Sequence, residues 1–125
     1  MSCARYALRL LLLAMSLAGT GIMLGSAVGA ELTFVLRIEN GHLPGDMRLI
    51  RVKQNDVVRL QWSTDKPMTI HLHGYDIEKR LVPGTMTDMT FTARASGRFT
   101  VEPHLSSASG GHTHGDVLVT IEVYP

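Results

Sequence analysis

The residues of this chain best suited to chemistry are its histidines. Five of the six fall into two groups, His71 with His73 and then His104, His112 and His114, while His42 stands apart in a Gly/Pro-containing loop. Residues two apart on a strand project from one face, about 6.5–7 Å apart along the chain. A strand through His71 and His73 therefore offers two imidazoles on one side and turns Ile70 and Leu72 towards a core. Imidazole ligates zinc, copper, nickel and iron. The single cysteine, Cys3, lies at the very start of the sequence and contributes no thiolate to a folded domain. The chemistry expected of His71, His73, His104, His112 and His114 is thus a thiolate-free copper site, type-2-like Cu(II) or Cu(I), or a zinc site.

The bland alternative is that paired histidines sit on a wet sheet surface and that Gly111-His112-Thr113-His114 is a solvated loop. Met68, Met86 and Met89 are soft atoms that could join Cu(I), but Met68 and Met89 fall on apolar positions of their runs and read better as core filling. Glu102, beside Pro103-His104, could hold a metal or orient an imidazole, although an exposed strand-end carboxylate is the commoner arrangement. His42 reads as a plain loop residue.

The elements that must position these groups are short strands. Apolar and polar residues alternate through Leu32, Phe34, Leu36 and Ile38, through Ile50 and Val52, and through Val58, Leu60 and Trp62. The pattern returns at Met68, Ile70 and Leu72, at Met89, Phe91 and Ala93, at Phe99 and Val101, and at Val117, Val119, Ile121 and Val123. Asn40-Gly41, Pro44-Gly45, Asn55-Asp56, Asp65-Lys66-Pro67, Pro83-Gly84 and Ser96-Gly97 supply turns between the runs. Six to eight strands in about 95 residues predict an all-β sandwich or barrel with no helix. The Ser-, Gly- and His-rich stretch 105–115 breaks the alternation and predicts a flexible loop before the last strand.

The first thirty residues read differently. Arg5 and Arg9 precede the apolar run Leu10–Leu17, and Val28-Gly29-Ala30 offers small residues before Glu31. A secretory signal peptide over 1–30 and one domain over 31–125 are expected, with Sec-type export to the periplasm or outside. The alternative is an uncleaved anchor, because 10–30 is uncharged and long enough to cross a bilayer. Removing Arg5 and Arg9 from the 12 basic residues leaves 10 against 11 acidic ones, a balance that favours neither nucleic acid nor an anionic membrane.

Two stretches carry a family resemblance. Val52 to Val58, Leu60 to Trp62, the Asp65-Lys66-Pro67 turn and the histidine strand after it resemble the first half of a cupredoxin. Ser96-Gly97-Arg98-Phe99-Thr100-Val101-Glu102-Pro103-His104 resembles the strand leading to the cupredoxin ligand loop, and Val117 to Val123 its closing strand. Ile70-His71-Leu72-His73-Gly74-Tyr75-Asp76 is similar to bacterial periplasmic cupredoxin-like proteins, and faintly to the His-x-His-Gly of multicopper oxidases. The resemblance implies a Greek-key β-sandwich in which His71 and His104 stand at the two histidine ligands. It also implies that Val101 or Glu102 stands where the blue-copper cysteine would be, and that the axial methionine is replaced by the segment carrying His112 and His114. Blue-copper electron transfer is not expected. The His71-x-His73…Glu78 spacing also resembles the first metal motif of cupins, whose later spacing this chain does not satisfy.

The expected function is copper buffering or delivery by a monomeric, non-enzymatic exported protein, whose partners are the metal ion and a periplasmic copper-handling protein. A metal-free partner-binding module on the same framework is the alternative, and a small copper or zinc enzyme a third.

Overall fold

The alternating runs become strands that pair over long separations. The computed structural model describes residues 28–106 and 112–125, with 105, 106 and 112–114 placed by their backbone register. Strand β1 (Glu31–Ile38) runs parallel to β3 (Val57–Thr64), which pairs antiparallel with β6 (Thr87–Thr92) to give a three-stranded sheet. The second sheet has the order β2 (Leu49–Lys53), β9 (Val119–Tyr124), β7 (Gly97–Ser106), β4 (Met68–Leu72), β5 (Ile77–Leu81). A short strand β8 (His112–His114) pairs antiparallel with the far end of β7. A single 3₁₀ turn, Gly45–Met47, is the only helical element among the described residues.

The core forms where the apolar positions of the two sheets meet. Leu36 and Ile38, Val58, Leu60 and Trp62, Ile70 and Leu72, Met89 and Phe91, Val101, and Val119, Ile121 and Val123 are all buried in one cluster. Each is the apolar member of a period-two alternation, so burying one face of each strand leaves the other to solvent or to polar pairing.

Two expectations about elements change. Residues 77–81 form a strand although only Ile77 and Leu81 are apolar, because this is the edge of the larger sheet, where charged side chains face water. The stretch 105–115 is not loop throughout: β7 continues to Ser106 and β8 returns antiparallel to it, so backbone pairing replaces the missing side-chain periodicity.

Asp56 joins the two sheets at one end. It is buried, with one carboxylate oxygen accepting from the Ala30 N–H and the other from the Lys53 N–H, each at 2.8 Å. The same turn exchanges backbone hydrogen bonds with Ala93 after β6, and Asn55 takes a left-handed φ of 74° to make it.

On the outer face of the larger sheet, Glu122 is held by three neighbours. The Tyr124 hydroxyl donates to it at 2.7 Å, Arg51 reaches it at 3.1 Å, and Arg98 ion-pairs with its second oxygen. The tyrosine hydrogen bond, followed by those from Arg98 and Arg51, outweighs burial and holds the Glu122 carboxyl below its ordinary range. A depressed folded-state pKa gives stability that is present above the unfolded value of about 4.3 and is lost as pH falls through the folded value. Glu122→Gln is therefore expected to lower stability at neutral pH and to flatten its decline below about pH 4. Urea unfolding at a series of pH values reads this directly; parallel wild-type and variant curves in acid would contradict it.

Candidate functional site

The site grows from the parity of two adjacent central strands. Strands β4 and β7 pair in a register that sets Leu72 opposite Val101, His71 opposite Glu102 and Thr69 opposite His104. Leu72 and Val101 are fully buried between the sheets. Their neighbours His71, Glu102 and His104 must therefore emerge on the outer face, and His73, two residues beyond His71, joins them. The edge strand completes the patch, because Glu78 of β5 stands opposite His71 on its other side. His104, of the second histidine group, meets His71 and His73 of the first on the outer face of the larger sheet.

Within this cluster His71 stacks against both other imidazoles. His71 and His73 have ring centroids 4.4 Å apart, and His71 and His104 lie edge to face at 5.2 Å. Each ring also has one nitrogen beside a carboxylate: His71 Nε2 is 3.3 Å from Asp76 Oδ1, His73 Nε2 is 3.3 Å from Glu102 Oε2, and His104 Nδ1 is 3.4 Å from Glu78 Oε2. Glu102 is fixed in turn by the Thr100 hydroxyl, which donates to its other oxygen at 3.0 Å. The remaining ring nitrogen of His71, Nδ1, is buried and has no hydrogen-bond partner among the described residues. Carboxylates that hold one imidazole nitrogen fix its tautomer and raise the basicity of the other, the arrangement found behind metal-bound histidines.

Rings meeting by faces and edges do not yet converge their nitrogens. Among the described residues no group of three or more His, Cys, Asp or Glu stands ready to hold an ion. The donor types nonetheless suit a borderline metal: imidazole nitrogens backed by carboxylates, with a buried imidazole nitrogen left over at His71.

His112 and His114 fall in β8, where the backbone sets His114 opposite His104 and His112 opposite Ser106. That places His114 at the register level of the cluster. His42 is not isolated either: it lines a cleft of about 520 Å³ together with Lys66, Met68, Arg80, His104 and Asp116. Met89 is wholly buried and Met68 packs against the core, as their positions in the alternation suggested.

The carboxylates were the least visible part of the site. Glu102 is only 18% exposed, so it is a half-buried partner of His73 and not the commoner exposed strand-end residue. Asp76 as an imidazole partner went unread, and Glu78 was read only as part of a cupin-like spacing, because β5 went unread: once 77–81 is a strand, counting back across the turn puts Glu78 beside His71. The turn itself depends on Gly74, whose φ is +86° and whose missing Cβ would lie 2.6 Å from the Phe99 ring. Gly74 thereby lets the chain reverse immediately after His73.

The two sheets, their strand order and the absence of a cysteine from the described residues define a cupredoxin-like β-sandwich without a blue-copper thiolate. Solved structures share this architecture. The chain is similar to a chain of a heme-copper terminal oxidase dimer, at a TM-score of 0.59 and 16% identity over 76% of this chain and 65% of that one. It thus spans just under two thirds of that chain's length. It is also similar to a copper binding protein in its apo form, at a TM-score of 0.57 and 13% identity over 76% of this chain and 89% of that one. A third similarity is to the periplasmic domain of subunit II of cytochrome oxidase of Bradyrhizobium japonicum, at a TM-score of 0.55 and 17% identity over 75% and 84%. No family model matches the sequence. Comparison with curated proteins gave no match. What these likenesses share with the chain is the fold.

Proposed function

We propose that this chain is an exported copper-binding protein that buffers or delivers the ion through a thiolate-free histidine site. The observation that carries the reading is the meeting of His71, His73 and His104 from two strands on one sheet face, with ring centroids 4.4 and 5.2 Å apart and a carboxylate beside each. In this reading those three imidazoles hold the metal, with His114 or His112 of the neighbouring strand completing the set. Copper is the metal favoured by the ligand type and by similarity to copper-associated proteins, and zinc suits the same donors. Binding asks the rings to turn about their side-chain torsions so that nitrogens replace ring faces at the centre. A site on an open sheet face, without a thiolate, suits capture and release to a periplasmic copper-handling partner better than electron transfer. In this reading residues 1–30, of which 1–27 lie outside the described residues, are a leader that carries a monomer to the periplasm or beyond; among the described residues no helix is long and apolar enough to cross a membrane.

The test is a competition titration of the purified chain with Cu(I) and Cu(II), followed by visible and EPR spectra, beside a His71→Ala, His73→Ala, His104→Ala variant. One tightly bound copper without an intense blue band, weakened at least about 100-fold in the variant, is the expected result. Equal binding by both proteins would leave the metal-free partner-binding module as the better account.

A further inference from the structure

We infer that the histidine cluster selects a doubly charged ion, Cu(II) or Zn(II), over Cu(I). This rests on the proposed metal site and adds its charge selectivity. The first ground is the density of negative charge: Asp76, Glu102 and Glu78 each place a carboxylate oxygen 3.3–3.4 Å from a different imidazole. On the same side stand Arg80, set opposite Thr69, and, lining the cleft that His104 borders, Lys66 and Asp116, whereas Arg51 and Arg98 lie further along the face around Glu122. Asp76, Glu78, Glu102 and Asp116 against Arg80 and Lys66 leave the patch negative, the imidazoles aside. Coulomb attraction scales with the charge of the guest, so a fixed negative surround stabilises a dication about twice as much as a monocation.

The second ground is the position of the soft atoms. Thioethers and thiolates are the ligands that favour Cu(I). Met89 is fully buried in the core, and Met47 and Met68 pack against it, Met68 sharing the parity of Ile70 and Leu72. Met86 lies in a separate cleft with Arg37, Asp65 and Gly84. Among the described residues, then, the face bearing the imidazoles carries oxygen and nitrogen donors and no strand position of methionine parity. Met68 borders the cleft that His104 also lines, so it is the one thioether that the experiment must address directly.

The experiment titrates the full chain with Cu(II), Zn(II) and Cu(I) at one pH against matched chelators, in the wild type and in Glu102→Gln, Glu78→Gln and Met68→Leu. Glu102→Gln is expected to weaken Cu(II) and Zn(II) about tenfold and Cu(I) only about threefold. The potential of the bound copper couple then rises by about 30 mV, from about 59 mV per tenfold for one electron. Met68→Leu is expected to change none of the three affinities. Circular dichroism checks folding, and the more exposed Glu78 carries the same comparison if Glu102→Gln is unfolded. Equal losses for Cu(I) and Cu(II), tighter wild-type binding of Cu(I), or loss of Cu(I) in Met68→Leu would each overturn the inference while leaving a metal site in place. Failure of the wild type to bind any of the ions would remove the metal site itself.

Discussion

Trp62→Ala is expected to cost about 3–5 kcal/mol of unfolding free energy, a third or more of what a small domain commonly has. Trp62 is wholly buried on β3, the central strand of the smaller sheet, and it is the largest side chain in the core. Truncation removes its contacts with both sheets and leaves a cavity that paired strands on either side cannot close. Trp62→Phe should behave differently. The Trp62 indole N–H is buried without a hydrogen-bond partner among the described residues, and an unmet donor costs about 1–3 kcal/mol. Phenylalanine keeps most of the ring and removes that donor, so its cost should stay below half that of alanine. Guanidinium unfolding followed by circular dichroism checks both, since this is the chain's single tryptophan and fluorescence is lost with it. An alanine variant within about 1 kcal/mol of wild type would mean that the site collapses freely, contrary to the packing described.

The second large effect belongs to Asp56. Its two oxygens each accept a 2.8 Å hydrogen bond from a backbone N–H, one from Ala30 just before β1 and one from Lys53 at the end of β2. Hydrogen bonds to a charged group contribute about 1.5–3 kcal/mol each, and Asp56→Ala leaves both donors without their acceptor. A loss of about 3 kcal/mol is expected. Asp56→Asn keeps one acceptor oxygen and should lose roughly half as much. Hydrogen exchange at Lys53, and at Ala30 in the full chain that keeps the leader, distinguishes this from a general loss of stability: those amides should lose protection in Asp56→Ala beyond what global unfolding explains. Asparagine as damaging as alanine would point to charge, and not to the paired acceptors, as the source of the effect.

The sequence made some of this visible and hid the rest for physical reasons. Strands β1, β3, β4 and β6 were legible because one face of each is buried, which writes a period of two into residues such as Leu36, Ile38, Val58, Leu60 and Trp62. Strand β5 was not, because an edge strand facing water carries Glu78, Lys79 and Arg80 between only two apolar ends. Strand β8 is held by backbone pairing to β7 and carries no pattern of its own. At the site, the shared face of His71 and His73 follows from parity alone. That His104 joins them does not, since it depends on the pairing of β4 with β7 across some thirty intervening residues, which local alternation does not encode. The half-buried role of Glu102 is hidden for the same reason: it stands opposite His71 of the neighbouring strand.

The strict alternation of β7 also decides how a thiolate centre could be restored. Val101 and Glu102 are adjacent, and either can be aligned with the missing cysteine, yet they lie on opposite sides of the sheet. Val101 is sealed in the core opposite Leu72 and Val119, whereas Glu102 shares its face with the imidazoles. A cysteine at 101 would be a small hydrophobe in a dry interior, out of reach of any ion the histidines hold. A cysteine at 102 would set sulfur among them. Of two neighbouring substitutions, only the second places sulfur on the face that carries the imidazoles.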